Sequence, residues 1–277
     1  MRSFCVIPAR GGSKRIPRKN IRDFFGKPII GYSIRAAIEA DCFEQVIVST
    51  DDDEIAAVAR EFGATVPFKR PAELANDLAG TVPVVSHAVH WMEEYHGAFD
   101  AACCMYATAP FMRIEDVRKG QNLLEKGWSY AFPATEFASP IFRSFRKLSD
   151  GGLEMFFPEH VSSRSQDLET ALHDAGQFYW GASKAWREEM PLFGRQSFPI
   201  EIPRRLVQDI DTEEDWLIAE RVYEALARTM QPGEPVVLLT VADPDIGLGH
   251  LYRCDALAQA LQQFAGARVR SEERRVG

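Results

Sequence analysis

The residues best suited to chemistry in this chain lie in its first basic segment, residues 10–19. The segment contains two glycines, a serine and five cationic side chains: Gly11, Gly12, Ser13, Arg10, Lys14, Arg15, Arg18 and Lys19. Glycine lets backbone N–H groups approach a ligand closely, and the cationic groups suit phosphate oxygens. The spacing matches neither the Walker A motif nor the dinucleotide-binding fingerprint. The residue types favour a polyphosphate-binding loop, and a merely solvated basic loop is the alternative.

A second candidate is the acidic pair Asp209 and Asp211 in VQDIDTEEDW. In an extended segment, residues two apart point to the same side, so both carboxylates face one ligand. Two such oxygen ligands suit Mg²⁺, which usually completes its shell with water and substrate phosphates. The alternative is helix capping, with Thr212 or Asp211 as the N-cap and Glu214 or Asp215 three residues later. Asp211 could also cap while Asp209 binds the metal.

A basic loop together with a magnesium-binding acidic pair points to phosphoryl or nucleotidyl transfer, where positioning and charge neutralisation supply most of the catalysis. The 277-residue chain carries a net charge of −8, so the basic loop stands against an acidic background. This argues for a local anion site and against binding of nucleic acid or anionic membrane. The sequence shows no apolar run long enough to cross a bilayer and no signal-peptide pattern at its start. We therefore expect a cytoplasmic protein.

Strand-like and helical patterns alternate through the first part of the chain. Strands are predicted at 4–8, 45–50, 101–106, 130–135 and 178–181, and helices at 29–39, 54–62, 82–94, 114–125 and 215–228. This order predicts a parallel sheet covered by helices on both faces, with the site at the carboxyl ends of the strands. The five cysteines are odd in number and lack zinc spacing. They are expected to be reduced and buried.

Two regions depart from that alternation. Residues 138–172 are rich in Phe, Arg and Ser around a Gly151–Gly152 turn, which predicts either an inserted hairpin arm that serves dimer contacts or a long local loop. Residues 231–235 are predicted to be a linker, followed by a strand at 236–243 and a helix at about 252–264. Residues 236–277 are too few to build a sheet of their own, so we expect a truncated start of a second α/β domain. The charged run 270–277 is expected to be solvated.

The segment VIPARGGSKRIPRKN (6–20) resembles the nucleotide-binding motif of the cytidylyltransferases that activate nine-carbon acidic sugars, the sialic acid synthetase family. Further matching motifs follow in order: IVSTDDDEIA (47–56), KRPAELAND (69–77), TAPFMR (108–113), RSQD (164–167) and DIDTEED (209–215). Two segments differ from the sialic acid enzymes, which usually carry Gln-Pro-Thr-Ser-Pro and Asn-Gly-Ala. Here they read YATAP (106–110) and HDAGQFYWG (173–181), and both variants resemble the pseudaminic acid branch of the family.

The resemblance implies a three-layer α/β/α domain over residues 1–230, Rossmann-like and similar to nucleotide-diphospho-sugar transferases. Its sheet would be mostly parallel, and residues 138–172 would form a dimerisation arm of a homodimer. The implied reaction joins CTP and pseudaminate to give CMP-pseudaminate and diphosphate, with Mg²⁺ as cofactor. Sialic or legionaminic acid is the alternative acceptor. A non-catalytic nucleotide-binding protein is the alternative from a different functional class.

Carried onto matching positions, the resemblance implies a role for each of several residues. The residues that would bind the triphosphate are Arg10, Gly12, Ser13, Lys14 and Lys19, with Asn20 nearby. Arg70 and Asp77 would lie by the cytidine, and Tyr106 and Thr108 would line the crevice. The sugar acid would meet Arg164 and Gln166, with acceptor recognition by Asp174, Gln177 and Tyr179. Asp209 and Asp211 would hold Mg²⁺. The catalytic groups would be Arg10, Lys14 and Asp211.

The segment IGLGHLYRCDALAQAL (246–261) resembles the opening of the nucleotide-sugar hydrolases that act one step earlier in pseudaminic acid synthesis. In those enzymes a glycine-rich loop and a histidine, here His250, serve the active site. Most of that domain is missing from this sequence, so no hydrolase activity is expected.

Overall fold

The computed structural model describes residues 1–230, 236–242 and 269–275. The chain divides into two compact units, Met1–Trp216 and Leu217–Gly277. The linker predicted at 231–235 lies outside the described residues, as do the helix predicted at 252–264 and His250.

The strands are Ser3–Pro8 (β1), Asp23–Phe24 (β2), Lys27–Pro28 (β3), Gln45–Ser49 (β4), Ala101–Met105 (β5), Tyr130–Glu136 (β6), Phe145–Lys147 (β7), Leu153–Met155 (β8), Leu172–Asp174 (β9), Phe178–Ala182 (β10), Ser197–Glu201 (β11), Val236–Ala242 (β12) and Val269–Arg275 (β13). The helices are Ile30–Ala40 (α1), Asp53–Glu61 (α2), Thr81–His96 (α3), Ile114–Glu125 (α4), Ser183–Arg187 (α5) and Glu213–Met230 (α6). None of the helices in the described ranges is long and apolar enough to cross a membrane.

The main sheet has the strand order β11-β6-β10-β5-β1-β4, with β9 also paired to β6. Strands β1, β4 and β5 run parallel, and β6 and β11 run parallel to each other. Strand β10 runs antiparallel to β5 and to β6, and β9 runs antiparallel to β6, so the five strands β1, β4, β5, β6 and β11 share one direction. Their carboxyl ends therefore lie along the same edge of the sheet.

The antiparallel course of β10 makes the sheet mixed, which agrees with the mostly parallel sheet that the resemblance implies. Strand β9 already runs antiparallel to β6, and only residues 175–177 separate it from β10. A return to the parallel direction requires a crossover of a dozen or more residues. The short connection therefore keeps β10 in the direction of β9, and the sheet is mixed but mostly parallel.

Helices cover both faces of the sheet, as expected for three layers. Successive residues of β1 point to opposite faces, with Cys5 in one hydrophobic cluster and Val6 in the other. The first cluster includes Ile34 of α1, and the second includes Val85 of α3 and Trp186 of α5. Both faces of the central strands are thus buried, which explains their continuous apolar runs.

The predicted arm contains a short hairpin rather than a featureless loop. Strands β7 and β8 pair antiparallel, with Phe145 opposite Met155. Gly151 in the connecting turn has a φ of 91°, a left-handed conformation that glycine adopts readily. Residues 145–155 therefore form a hairpin within the range 138–172, and a role of this arm in dimer contacts stays a prediction.

In the second unit, β12 falls where the sequence predicts a strand, and it pairs parallel with β13, Val236 opposite Val269. Strand β13 covers most of the charged run predicted at 270–277. Its sequence VRSEERR lacks apolar alternation, so nothing in its pattern indicates a strand.

The cysteines in the described part of the chain are free and buried, as expected: Cys5, Cys42, Cys103 and Cys104. Burial raises the pKa of the Cys5, Cys103 and Cys104 thiols well above the ordinary value. These thiols are protonated at neutral pH and are therefore poor nucleophiles.

Candidate active site

A cavity of about 680 Å³ opens at the carboxyl ends of β1 and β5, beside the start of α3. Its wall contains many of the residues predicted from the sequence: Arg10, Ser13, Lys14, Lys19, Asn20, Arg70, Asp77, Tyr106, Thr108 and Asp211. The basic loop and the acidic segment near residue 210 therefore meet at one site. This is the position at which open α/β sheets bind ligands.

The basic loop is held in shape by contacts to its own backbone and to the turn before α2. The side-chain amide of Asn20 donates to the Arg10 carbonyl at 3.0 Å. The Gly11 amide donates to Asp51 at 3.0 Å, and a Cβ at Gly11 would lie 2.6 Å from a carboxylate oxygen of Asp52. Glycine is therefore required at position 11 by close approach. Gly12 has open space around it and is not part of the cavity wall.

Arg18 differs from the other loop cations because it serves the fold. Its guanidinium donates to both carboxylate oxygens of Asp52, at 2.5 and 3.0 Å, and also contacts Glu54. Asp52 is the N-cap of α2 and accepts from the amides of Glu54 and Ile55. The Arg18 hydrogen bond is the main cause that lowers the pKa of Asp52 to about 2. Arg18 therefore anchors the loop to α2 and does not line the cavity.

Arg10 and Lys14 converge on a single carboxylate. Arg10 Nη1 lies 2.6 Å from Asp77 Oδ1, and Lys14 Nζ lies 2.5 Å from Asp77 Oδ2. The hydrogen bonds from Lys14 and Arg10 lower the pKa of Asp77. The resemblance predicts Asp77 beside the cytidine, whereas its carboxylate here lies between the two cations expected to bind phosphate.

Lys19 joins the basic loop to the acidic segment. Its ammonium group donates to the Ile210 carbonyl at 2.6 Å and contacts Asp211 Oδ1 at 3.2 Å. Arg15 contacts the other oxygen of Asp211 at 2.9 Å. The predicted phosphate-binding and metal-binding clusters are thus in direct contact.

Helix α6 is capped by Thr212 and not by Asp211. The Asp215 amide donates to the Thr212 hydroxyl at 3.2 Å, and the Thr212 amide donates to the Asp215 carboxylate at 2.8 Å. This reciprocal pair is a capping box. Capping therefore leaves Asp211 free to face the cavity.

Asp209 lies outside the cavity wall. Loss of hydration against surrounding protein atoms, followed by the negative charge of Asp211, raises the pKa of Asp209. The nearby Lys19 acts in the opposite direction. Asp209 and Asp211 stay predicted metal ligands, since carboxylate oxygens are the kind of ligand that suits a hard metal ion.

Arg70 and Tyr106 form the inner wall. Arg70 is only 5% exposed and donates to the hydroxyl and the carbonyl of Ser49. Burial lowers the pKa of Arg70 to about 10, which leaves it charged at neutral pH. The Tyr106 hydroxyl lies 2.7 Å from the Thr81 hydroxyl, and Thr81 also lines the cavity. Thr108 follows Tyr106 in the loop after β5.

Two of the residues predicted to recognise the acceptor are buried beneath the surface. The side-chain amide of Gln177 donates a hydrogen bond to the main-chain carbonyl of Leu206 at 2.6 Å. The main-chain carbonyl of Gln177 accepts a hydrogen bond from the main-chain amide of Tyr106 at 2.8 Å. Tyr179 is 2% exposed and donates its hydroxyl to Asp174. Asp174, Gln177 and Tyr179 do not line the nucleotide-sized cavity.

Arg164 and Gln166 lie in the arm, away from the cavity wall. Arg164 donates to both carboxylate oxygens of Asp167, at 2.7 and 3.1 Å, across a single 3-10 turn. The structure of one chain therefore does not bring these two residues together with the basic loop.

Sequence reasoning missed Gly80 and Thr81, which line the cavity at the start of α3. The available signal was their position three residues after the motif KRPAELAND (69–77), where a small residue precedes a helical pattern. Backbone N–H groups at a helix start are suited to anions.

Comparison with known proteins agrees with this site. The family described as "Cytidylyltransferase" matches residues 4–211. A pseudaminic acid cytidylyltransferase of Campylobacter jejuni is 44% identical over 225 residues, covering 81% of this chain and 97% of the relative. A Helicobacter pylori protein is 33% identical over 266 residues, covering 95% of this chain and 50% of the relative. It is named pseudaminic acid cytidylyltransferase and UDP-2,4-diacetamido-2,4,6-trideoxy-beta-L-altropyranose hydrolase.

Among solved structures, a CMP:2-keto-3-deoxy-manno-octonic acid synthetase complexed with CTP has a TM-score of 0.60 at 17% identity. The match covers 82% of this chain and 100% of that one, and it supports the nucleotidyltransferase fold. The family match spans most of the chain and includes the basic loop, the cavity wall and Asp211. This chain therefore belongs to the cytidylyltransferase family.

Proposed function

We propose that this protein transfers the cytidylyl group of CTP to pseudaminic acid, giving CMP-pseudaminate and pyrophosphate. The observation that carries the proposal is the single cavity that joins Arg10, Lys14 and Lys19 to Asp211. It occurs in a chain that is 44% identical to a pseudaminic acid cytidylyltransferase over nearly the whole of that relative. A CMP-N,N'-diacetyllegionaminic acid synthase of Legionella pneumophila is 31% identical, which makes legionaminic acid the main alternative acceptor.

In the proposed reaction, the anomeric hydroxyl oxygen of the sugar acid attacks the α-phosphorus of CTP. A new O–P bond forms while the bond from the α-phosphorus to its bridging oxygen breaks; pyrophosphate leaves with that oxygen, and the hydroxyl proton is released to solvent. Arg10 and Lys14 would bind the departing phosphates. Lys19, which contacts Asp211, would bind the negative charge of the triphosphate next to that residue. Because Asp77 contacts both Arg10 and Lys14, the triphosphate competes with that carboxylate for the same donors.

The proposed metal ligands are Asp209 and Asp211. In the described ranges, no group of three or more His, Cys, Asp or Glu side chains is arranged to hold a metal ion. Two carboxylates nevertheless suit Mg²⁺, which keeps several waters and takes phosphate oxygens as further ligands. Bound there, the ion would neutralise charge on the phosphate oxygens.

A homodimer is part of the proposal. The arm carries several exposed apolar side chains on and around the β7–β8 hairpin: Phe145, Leu153, Phe156 and Val161. A second copy packed on this surface would cover them and could bring Arg164 and Gln166 to the acceptor end of its site. Light scattering after gel filtration should show a dimer that Phe145→Ser weakens. Phe193→Ser, at an exposed aromatic outside the arm, is the control. A monomeric wild-type protein would contradict this part.

The acceptor is tested by incubating the purified chain with CTP and Mg²⁺ and one sugar acid at a time. Pseudaminic, N,N'-diacetyllegionaminic and sialic acids are compared through the rate of pyrophosphate release. We expect the highest kcat/KM for pseudaminic acid. Turnover with sialic or legionaminic acid alone would reassign the substrate, and no release with any of the three would overturn the transferase assignment.

A further inference from the structure

The acidic segment that leads into α6 is held by cations from one turn of the chain. Residues 209–215 contain five carboxylates, and burial followed by the charge of Asp211 raises the pKa of Asp209. Like charges this close in sequence repel one another, so contacts with cations are needed to fix the course of the segment. Two of these cations come from the 3-10 turn Lys19–Ile21 and from the residue that follows it, Arg22.

Lys19 and Arg22 contact the segment at two different points. Lys19 Nζ donates to the Ile210 carbonyl at 2.6 Å and lies 3.2 Å from Asp211 Oδ1. Arg22 Nη1 donates to both carboxylate oxygens of Glu213, at 2.7 Å each. The segment is therefore attached to a single turn both before and at the start of α6.

The guanidinium of Arg22 makes a further contact in the first turn of α6. Its Cζ lies 4.4 Å from the centroid of the Trp216 ring. Trp216 is 1% exposed and packs edge-on against Phe24, with ring centroids 5.6 Å apart. A planar guanidinium can pair with a carboxylate and lie over an aromatic ring at the same time. Arg22 therefore holds the start of α6 through Glu213 and Trp216 together.

Arg22 is not needed to cap the helix, and it does not line the cavity. The reciprocal hydrogen bonds of Thr212 and Asp215 cap α6 without it. The side chains of Arg22 and Glu213 are 35% and 56% exposed, and an ion pair this open to solvent contributes little to stability. What the contacts of Arg22 determine is where α6 begins relative to the basic loop, and hence where Asp211 lies.

We propose that Arg22 is a positioning residue for nucleotidyl transfer. It acts through Glu213 and Trp216 to place Asp211 beside Lys19, and it does not contact a substrate. Both Asp211 and Lys19 line the cavity, so a shift of the segment would move the first and leave the second without its partner. The inference rests on the proposed function, because it assigns a role within the same reaction.

The test measures pyrophosphate binding by calorimetry, with Mg²⁺ present, for the full chain and for Arg22→Gln, Glu213→Gln and the double variant. We expect Arg22→Gln to raise the Kd roughly tenfold with an unchanged number of sites, because a misplaced group loses most of the benefit of its orientation. The double variant should match Arg22→Gln within about twofold, because both substitutions break the same contact.

Glu213→Gln separates the effect of position from the effect of charge. Loss of a negative charge near the cavity would by itself tighten the binding of an anion. Loss of the contact with Arg22 should instead weaken binding, so the two explanations predict opposite signs. We expect the Kd to rise, by no more than in Arg22→Gln, because the contact of Arg22 with Trp216 is kept.

Turnover supplies a second readout. In assays with CTP and pseudaminic acid, kcat/KM for CTP should fall in Arg22→Gln by a factor similar to the rise in Kd, while the KM for the acceptor stays unchanged. A variant that is merely part-unfolded would instead bind fewer equivalents of pyrophosphate at an unchanged Kd. That result would assign Arg22 a general structural role and would overturn the inference.

Arg187→Gln is the matched control. Arg187 Nη1 also donates to both oxygens of a glutamate, Glu93, at 2.6 and 2.8 Å, and this pair lies outside the cavity wall. Its loss should leave the Kd and kcat/KM unchanged. An equal rise of the Kd in Arg187→Gln, or a Kd for Glu213→Gln that falls or stays the same, would overturn the inference. A wild-type protein that binds pyrophosphate but turns over no sugar acid would overturn the proposed function alone.

Should Arg22→Gln fail to fold, Arg22→Lys and Glu213→Gln carry the test. Lysine keeps the charge but lacks the planar fork that pairs with both oxygens of Glu213, so Arg22→Lys should still raise the Kd. An unchanged Kd in both variants would exclude Arg22 from positioning the site and would overturn the inference.

Discussion

Lys14→Ala should remove most of the catalytic rate while leaving the fold intact. The Lys14 side chain is 79% exposed and contacts Asp77 in the wall of the cavity. An exposed side chain of this kind buries little surface, so its loss changes stability little. Removing one donor directed at charge developing in the transition state typically lowers kcat by about 10²–10³-fold, or about 2.7–4 kcal/mol. We expect a loss of that size.

Pyrophosphate release at saturating CTP, acceptor and Mg²⁺ gives kcat, and thermal melting reports the fold. Lys184→Ala is the matched control, because Lys184 is 72% exposed on α5 and forms an ion pair with Glu188 at 3.9 Å. That control should keep both kcat and the melting temperature. A kcat for Lys14→Ala within about threefold of wild type, less than about 0.7 kcal/mol, would exclude Lys14 from the chemical step. A fall in melting temperature would attribute the lost activity to unfolding.

Three further predictions concern stability and electrostatics. Gly181→Ala should cost about 1–3 kcal/mol in urea unfolding, because its Cβ would lie 2.3 Å from Nε1 of Trp186; an unchanged midpoint would contradict this. Asp52→Ala should cost about 0.5–2 kcal/mol at neutral pH. Arg18 lowers the pKa of Asp52 from 3.8 to about 2. The stability cost of Asp52→Ala should therefore be constant above pH 3.8 and should shrink as the pH falls from 3.8 to about 2. A cost that does not change with pH would contradict the ion pair between Arg18 and Asp52. Asp77→Asn should tighten pyrophosphate binding in calorimetry by freeing two cations, and weaker binding would argue against competition.

Much of the first unit could be predicted because buried strands and amphipathic helices leave distinct periods in the sequence. The helix predicted at 114–125 coincides with α4, and the strand predicted at 101–106 differs from β5 by one residue. Strand β11 was not predicted, since its sequence SFPIE contains a proline. Proline is tolerated there because β11 is the edge of the sheet and pairs only with β6.

The kinds of residue in the site were predictable, but their pairing was not. Five cations in one loop indicate an anion site, but only the folded chain shows that Arg18 forms its ion pair with Asp52 and does not line that site. Likewise, residue type alone does not reveal that Tyr179 points into a hydrophobic layer, because this depends on the alternation of β10 within a mixed sheet. Ion-pair partners distant in sequence are set by tertiary structure.

The pairing has a consequence for how the site binds nucleotide. Asp77 contacts Arg10 and Lys14, and Asp211 contacts Arg15 and Lys19, so two carboxylates offset half of the charge of these four cations. In a protein with a net charge of −8, these acids also limit self-repulsion within the basic loop. The affinity for triphosphate then depends on the difference between two sets of ion pairs: those of the loop cations with triphosphate and those of the same cations with Asp77 and Asp211. Salt weakens both sets. The two acids should therefore differ in effect: Asp77 opposes phosphate binding, whereas Asp211 supports it through the proposed metal ion.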